Sequence, residues 1–438
     1  MKKMVRTSRY WEVSFDKTGR LLDDTGLEAQ LAANPVNELF IFSHGWNSSQ
    51  DGARKHYDFM FDQIAQMVPD ESLGFVGVLW PSLLFPQDDP APDGPVLGTA
   101  DTQSASPLAS AGPPPPQAIV SSGAEIAAAL STAFPGQEQD IDTLGELLDR
   151  RPQEPEQLAS FVRLARGLVT TPNDAEEDRG EATLLVKSPR NVLDAMAALA
   201  PPSTSDAQAG FNPFGALWQG AKELLRTTSY YEMKNRAGVV GQNGLAPLVA
   251  RIAGRPGAPR VHLMGHSFGA RLVSFALAGL PDAMEGGGSP VKSLLLIQGA
   301  FSHFAFAPSA PVSAGKGALT AYGNRVDGPL LATFSSKDRA VGWWYPNASR
   351  LAWQDSQALV NPNFRWGGMG NDGYQQEAAQ VLELGAKGSA YHFETSRFYR
   401  LDANEVIQHG RSWFSGAHSD IDQPQLAWAA VSAAGHPR

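Results

Sequence analysis

The chain has 438 residues, with 35 Lys plus Arg against 45 Asp plus Glu, a net charge of −10, and no cysteine. The acidic balance repels phosphate backbones and argues against a nucleic-acid partner. The missing thiols exclude disulfides, thiol nucleophiles and Cys-ligated metals. With 42% hydrophobic and 18% charged residues the composition is globular, with enough apolar material for a large core.

Met1-Lys2-Lys3 is followed by no apolar run of signal-peptide length, and no run reaches the roughly 18 to 20 residues of a membrane span. The expected compartment is the cytoplasm, with signal-less export as the alternative, and no integral membrane association is expected. Tyr10–Phe15 alternates like an edge strand. Leu39–Phe42 is a compact apolar run ending at Ser43-His44-Gly45-Trp46-Asn47, and Tyr57, Met60, Phe61, Ile64 and Met67 then recur at helical spacing. Phe75–Trp80 follows and is stopped by Pro81. Strand, helix and strand at this spacing predict a βαβ unit and a parallel sheet.

The rhythm then breaks. Pro86 to Pro116 is dense in Pro, Ala, Ser, Gly and Asp, a composition that predicts a loop. Helical patterns follow at Ile141–Leu148, Leu158–Val169, Val192–Leu199 and Leu217–Leu225. Residues 83–235 are therefore read as a Pro-rich loop plus helices inserted into one α/β domain made of 1–82 and 236–438. Beyond Gly238 the alternation resumes with a helix at Leu245–Ile252, a strand at Arg260–Met264 and a helix at Leu272–Leu277. Strands at Leu294–Ile297, Leu330–Phe334 and Phe398–Leu401 and a closing helix at Gln425–Ala434 complete the pattern. About six mostly parallel strands with helices on both faces are expected.

Gly265-His266-Ser267-Phe268-Gly269 matches G-x-S-x-G directly after a predicted strand and directly before a helix. A sharp turn there exposes a serine hydroxyl above the sheet edge, and Gly265 and Gly269 relieve crowding against the neighbouring backbone. A serine needs a base and a group that orients the base. Asp338, just past the strand ending at Phe334, is the candidate acid; Asp327 precedes that strand and lies at the wrong end. His418, in the Gly-containing loop before the final helix, is the favoured base over His409. His436 lies in the tail, and His392 precedes the last strand. An oxyanion needs two backbone N–H donors. Phe268 follows the nucleophile, and Gly45 in the turn after His44 lets the Trp46 N–H face inward.

In that order, His44-Gly45-Trp46-Asn47, Gly265-His266-Ser267-Phe268-Gly269, Asp338 and His418 resemble the α/β-hydrolase superfamily over 35–82, 236–345 and 395–432. The resemblance implies an α/β-hydrolase fold with 83–235 as a cap, although caps in most relatives enter later in the chain. Serine at the elbow departs from the haloalkane dehalogenase and epoxide hydrolase branches, which need a carboxylate there, and from the dienelactone-hydrolase type, which uses cysteine. The implied activity is serine-dependent cleavage of a small-molecule or lipid carboxylic ester through an acyl-enzyme. Alternatives are an amidase or peptidase with the same triad, a signal-less exported phospholipase effector, and a non-catalytic hydrolase-fold receptor.

His266 and His303 are candidates for the pocket wall, with Phe301, Phe304 and Phe306 beside His303. Trp343-Trp344-Tyr345 is read as an aromatic wall or packing, and Phe211 to Trp218 as a lid edge or a buried face. No His/Asp/Glu cluster has metal-ligand spacing and no Gly-rich nucleotide loop follows a first strand, so neither a metal nor a cofactor is expected. The sequence leaves the oligomeric state open.

Overall fold

A computed structural model describes residues 9–46, 48–68, 72–83, 85–86, 121–171, 188–197, 213–282, 288–309, 315–344, 367–376, 378–410 and 416–436. Its centre is a nine-stranded sheet. In chain order the strands are β1 (Tyr10–Phe15), β2 (Leu21–Asp23), β3 (Glu38–Ser43), β4 (Leu73–Leu79), β5 (Arg260–His266), β6 (Val291–Ile297), β7 (Leu330–Phe334), β8 (Gln380–Glu383) and β9 (Phe398–Asp402). They lie in the order β2-β1-β4-β3-β5-β6-β7-β9-β8. Every pairing is parallel except β1 with β2.

The principal helices are α1 (Leu27–Ala33), α2 (Gln50–Met67), α3 (Gly123–Ala133), α4 (Glu138–Arg150), α5 (Pro155–Gly167), α6 (Pro189–Ala197), α7 (Pro213–Val240), α8 (Ala246–Ala253), α9 (Phe268–Gly279) and α10 (Pro424–Ala433). Strand pleating sends successive side chains to opposite faces, so a central strand covered on both sides must be apolar throughout. β3 meets that demand. Leu39 and Ile41 enter a core shared with α1, α7, α8 and α9, while Phe40 and Phe42 enter a second core with α2 and α10.

Two details differ from the sequence expectation. Tyr10–Phe15 is not an edge strand, because β2 pairs along its outer side; its alternation reflects one buried face, which an inner strand also shows. β2 and β8 were not foreseen. They are three and four residues long and mostly exposed, so they carry no apolar period to read.

The described parts of the 83–235 segment share the first core. Phe85, Ile126, Leu144, Phe161, Leu193 and Leu224 are buried in the same cluster as Ile41, Val76 and Leu263. Helix α7 is buried along nearly its whole described length and runs on past residue 235 to Val240. Its buried charges have specific partners. The Glu232 carboxylate accepts the backbone N–H groups of Thr170 and Thr171, each at 2.8 Å, and the Thr171 hydroxyl at 2.6 Å. Arg236 bridges Glu232 and the Pro81 carbonyl at the end of the β4 segment. Residues 87–116 of the Pro-rich stretch and residues 198–199 of the helix expected at Val192–Leu199 lie outside the described residues. No helix among the described residues is long and apolar enough to cross a membrane.

Candidate active site

In a parallel sheet the C-terminal strand ends share one edge, and loops leaving them can converge there. β5 ends at His266, and Ser267 then turns into α9 with φ 57° and ψ −120°. A non-glycine residue rarely adopts that conformation. The Ser267 N–H donates to the Ile297 carbonyl, and its own carbonyl accepts from Ala270 and Ala300, which pins the turn between β6 and the helix. A Cβ on Gly265 would stand 2.3 Å from the Gly269 carbonyl oxygen, and one on Gly269 would stand 2.1 Å from that of Ser43. The two glycines are what let strand, turn and helix approach so closely.

Two other strand ends meet this turn. Asp338 lies four residues beyond β7 and His418 in the loop between β9 and α10. The His418 Nε2 is 2.8 Å from Ser267 Oγ, and its Nδ1 is 2.7 Å from Asp338 Oδ2. All three are buried, and Asp338 completely so. The Asp338 carboxylate also accepts the Val341 N–H at Oδ1 and the Gln298 side-chain amide at Oδ2. The backbone near His418 is tied to the acid loop through the Ala417 N–H, which donates to the Lys337 carbonyl. His266 completes the support: its Nε2–H donates to the His418 carbonyl at 2.9 Å. Burial, reinforced by the neighbouring His418 and His56, holds His266 well below the usual histidine range, so it stays a neutral donor.

His44 and Gly45 form the turn after β3. A Cβ on Gly45 would be 2.5 Å from the Ser267 Cβ, so only glycine lets this turn lie against the elbow. His44 is stacked on Trp80 and donates Nδ1–H to the Gly45 carbonyl; burial pushes its pKa down to about 4. Its backbone is fixed by a bond from its N–H to the Tyr57 hydroxyl and by the Trp80 indole, which donates to its carbonyl. The backbone N–H groups of Trp46 and Phe268 have no acceptor among the described residues. Phe268 opens α9, whose N-terminal dipole favours negative charge at this point. The Trp46 and Phe268 rings pack with Tyr230 of α7 at 5.5 and 4.7 Å.

The other described residues singled out in the sequence have partners of their own. His409 has a side chain 66% exposed and pairs with Asp420. His303 is buried beyond the end of β6 and bonded to Asp372 at 2.7 Å. Phe306 packs on Tyr374 and Phe398, away from the elbow. His436 sits near Glu38 at the opposite end of the sheet. Asn47, Phe211, Tyr345 and the side chains of Trp343 and Trp344 lie outside the described residues, whereas Trp218 is buried and donates to the Pro152 carbonyl. Among the described residues no three His, Asp or Glu side chains are grouped as metal ligands. A surface cavity bounded by Leu280, Pro290, Tyr322 and Arg325 lies at the N-terminal edge of the sheet, far from Ser267.

Three contributors escaped the sequence reading. Gln298 carries no local signal, because an amide after a strand matches no catalytic pattern. For His266, expected at the pocket wall, the bond to the His418 carbonyl was the part not foreseen. Tyr230 sits in a helix whose relation to the elbow no local pattern discloses. No family model, curated protein or solved structure matches the chain.

Proposed function

We propose that this chain is a serine hydrolase of the α/β-hydrolase type that cleaves carboxylic esters through an acyl-enzyme, with the 83–235 segment as its cap. One observation carries the reading. Ser267, His418 and Asp338, which follow three different strands, form a continuous hydrogen-bonded relay with links of 2.8 and 2.7 Å, and its serine sits in a strained turn.

In this reading Ser267 Oγ attacks the ester carbonyl carbon as His418 Nε2 takes its proton. Asp338 keeps Nδ1 protonated, so that Nε2 is the basic nitrogen, and stabilises the imidazolium that forms. The carbonyl oxygen, now negative, accepts the Phe268 N–H at the N-terminus of α9 and the Trp46 N–H from the turn after β3. His418 then returns the proton to the departing alkoxide, the C–O bond breaks and the acyl group remains on Ser267. Water, deprotonated by the same histidine, releases the acid and restores the serine. Buried, preorganised donors make this stabilisation far stronger than in water.

The test is turnover of short-chain aryl esters by purified protein. Ser267→Ala and His418→Ala are each expected to lose at least about three orders of magnitude, because the relay acts as a unit. His409→Ala should keep most of the activity. Loss on His409→Ala with retention on His418→Ala would overturn the assignment of the base.

A further inference from the structure

We propose that Gln298 is a positioning residue whose side-chain amide aims the Asp338 carboxylate at His418. The proposal deepens the serine-hydrolase reading and rests on it.

Gln298 follows β6 and is fully buried. Its Nε2 donates to Asp338 Oδ2 at 2.9 Å and to the Gly370 carbonyl at 3.0 Å. The orientation of the amide is fixed by Thr333. That hydroxyl accepts the Gln298 backbone N–H at 3.0 Å, so its single proton goes to Gln298 Oε1, also at 3.0 Å. A flipped amide would set its oxygen against a carboxylate and a carbonyl with no proton between them. Both amide protons and the amide oxygen are thus committed, and Nε2 must face the acid.

The backbone supports the same conclusion. Gln298 has φ 46°, a left-handed conformation that disfavours a residue with a side chain. The chain bears that cost where glycine would be easier, and the side chain then reaches over β7 to the acid loop. Asp338 Oδ1 is held by the Val341 N–H, and Oδ2 is shared by His418 and Gln298. Without the amide, Oδ2 has only the imidazole to hold it. The carboxylate can then rotate and His418 Nε2 drifts from Ser267 Oγ. A displacement of that kind costs about tenfold to a hundredfold in rate.

The experiment is a set of labelling time courses with an alkyl fluorophosphonate on wild type, Gln298→Met and Gln298→Glu, with folding checked by urea unfolding. Gln298→Met keeps the side-chain length but loses the donor. Its maximal labelling rate should fall about tenfold to a hundredfold, while the reagent concentration giving half that rate stays at the wild-type value. Gln298→Glu supplies a donor only while the introduced carboxyl is protonated. Its rate relative to wild type should therefore fall as pH rises and two carboxylates come to face each other, a response that packing alone does not produce. A folded Gln298→Met labelled at the wild-type rate, or a Gln298→Glu to wild-type ratio independent of pH, would overturn the proposal. Should Gln298→Met fail to fold, the pH response of Gln298→Glu decides alone. Wild type that labels while these variants behave like it removes the inference only. Wild type that never labels removes the serine-hydrolase reading, and the inference with it.

Discussion

His44, His262 and His266 are buried, and in each the loss of hydration is the main reason its pKa lies below the ordinary histidine value. The unfolded chain takes up protons at these positions below about pH 6.5 whereas the folded protein does not, so stability must fall as pH drops through that range. His44 sets one lower limit, since its folded pKa is about 4. Glu38 extends the trend. Burial raises its pKa, but the hydrogen bond from His262, the nearby His436 ring and the charge of Arg260 outweigh that and leave it at about 2. Its contribution is present above the usual carboxylate range and is lost as pH falls from about 4.5 toward 2. Each proton withheld by the fold is worth about 1.4 kcal/mol per pH unit. Urea unfolding at pH 7 and pH 5 should show a clearly lower midpoint at pH 5, and equal midpoints would contradict this account of the buried histidines. The positions of Ser267, Gly265, Gly269 and Asp338 in the candidate site were legible in the sequence because each combines a residue type with a position next to an apolar run. Gln298 was not, because an amide after a strand shows its purpose only through the residue it faces, forty positions further on.

Helix α7 shows the same limit for a whole element. Its sequence announced a helix, at Leu217–Leu225, but gave no sign that the helix extends over Pro213–Val240 or is buried nearly all round. Glu223, Arg226, Glu232, Lys234 and Arg236 would ordinarily mark a solvent face, yet all are buried. What makes this tolerable is pairing. Glu232 is bonded to two Thr N–H groups, a hydroxyl and Arg236. Removing one member of such a set strands the others, at a cost of about 3–5 kcal/mol. Glu232→Ala should lower the free energy of unfolding by that amount, measured by urea titration at pH 7. A loss below about 1 kcal/mol would mean that the carboxylate is not what ties α5 to α7. The strands were easier to read. β3, β4, β6 and β7 are largely apolar runs, as burial on both faces demands, while β2 and β8 are too short and too exposed to leave a pattern.

For the molecule as a whole, parallel strands bring their C-terminal ends to one edge, and the strand order sets which loops meet. β5, β6 and β7 are neighbours with β9 beside them, so Ser267, Gln298, Asp338 and the loop carrying His418 converge from across 151 residues of sequence. On the other side β3 brings Gly45 against the elbow, and α7 brings Tyr230 to the rings of Trp46 and Phe268. The α/β class and the edge that carries the site follow from apolar rhythm alone. The way the described parts of 83–235 join the sheet's core does not, because it depends on which helical faces meet. The central claim is that this convergence activates Ser267, and intact mass after exposure to a fluorophosphonate addresses it most directly. A single stoichiometric adduct on wild type that is absent from Ser267→Ala is the expected result. Well-folded wild type that stays unmodified, or an adduct that persists on Ser267→Ala, would contradict it.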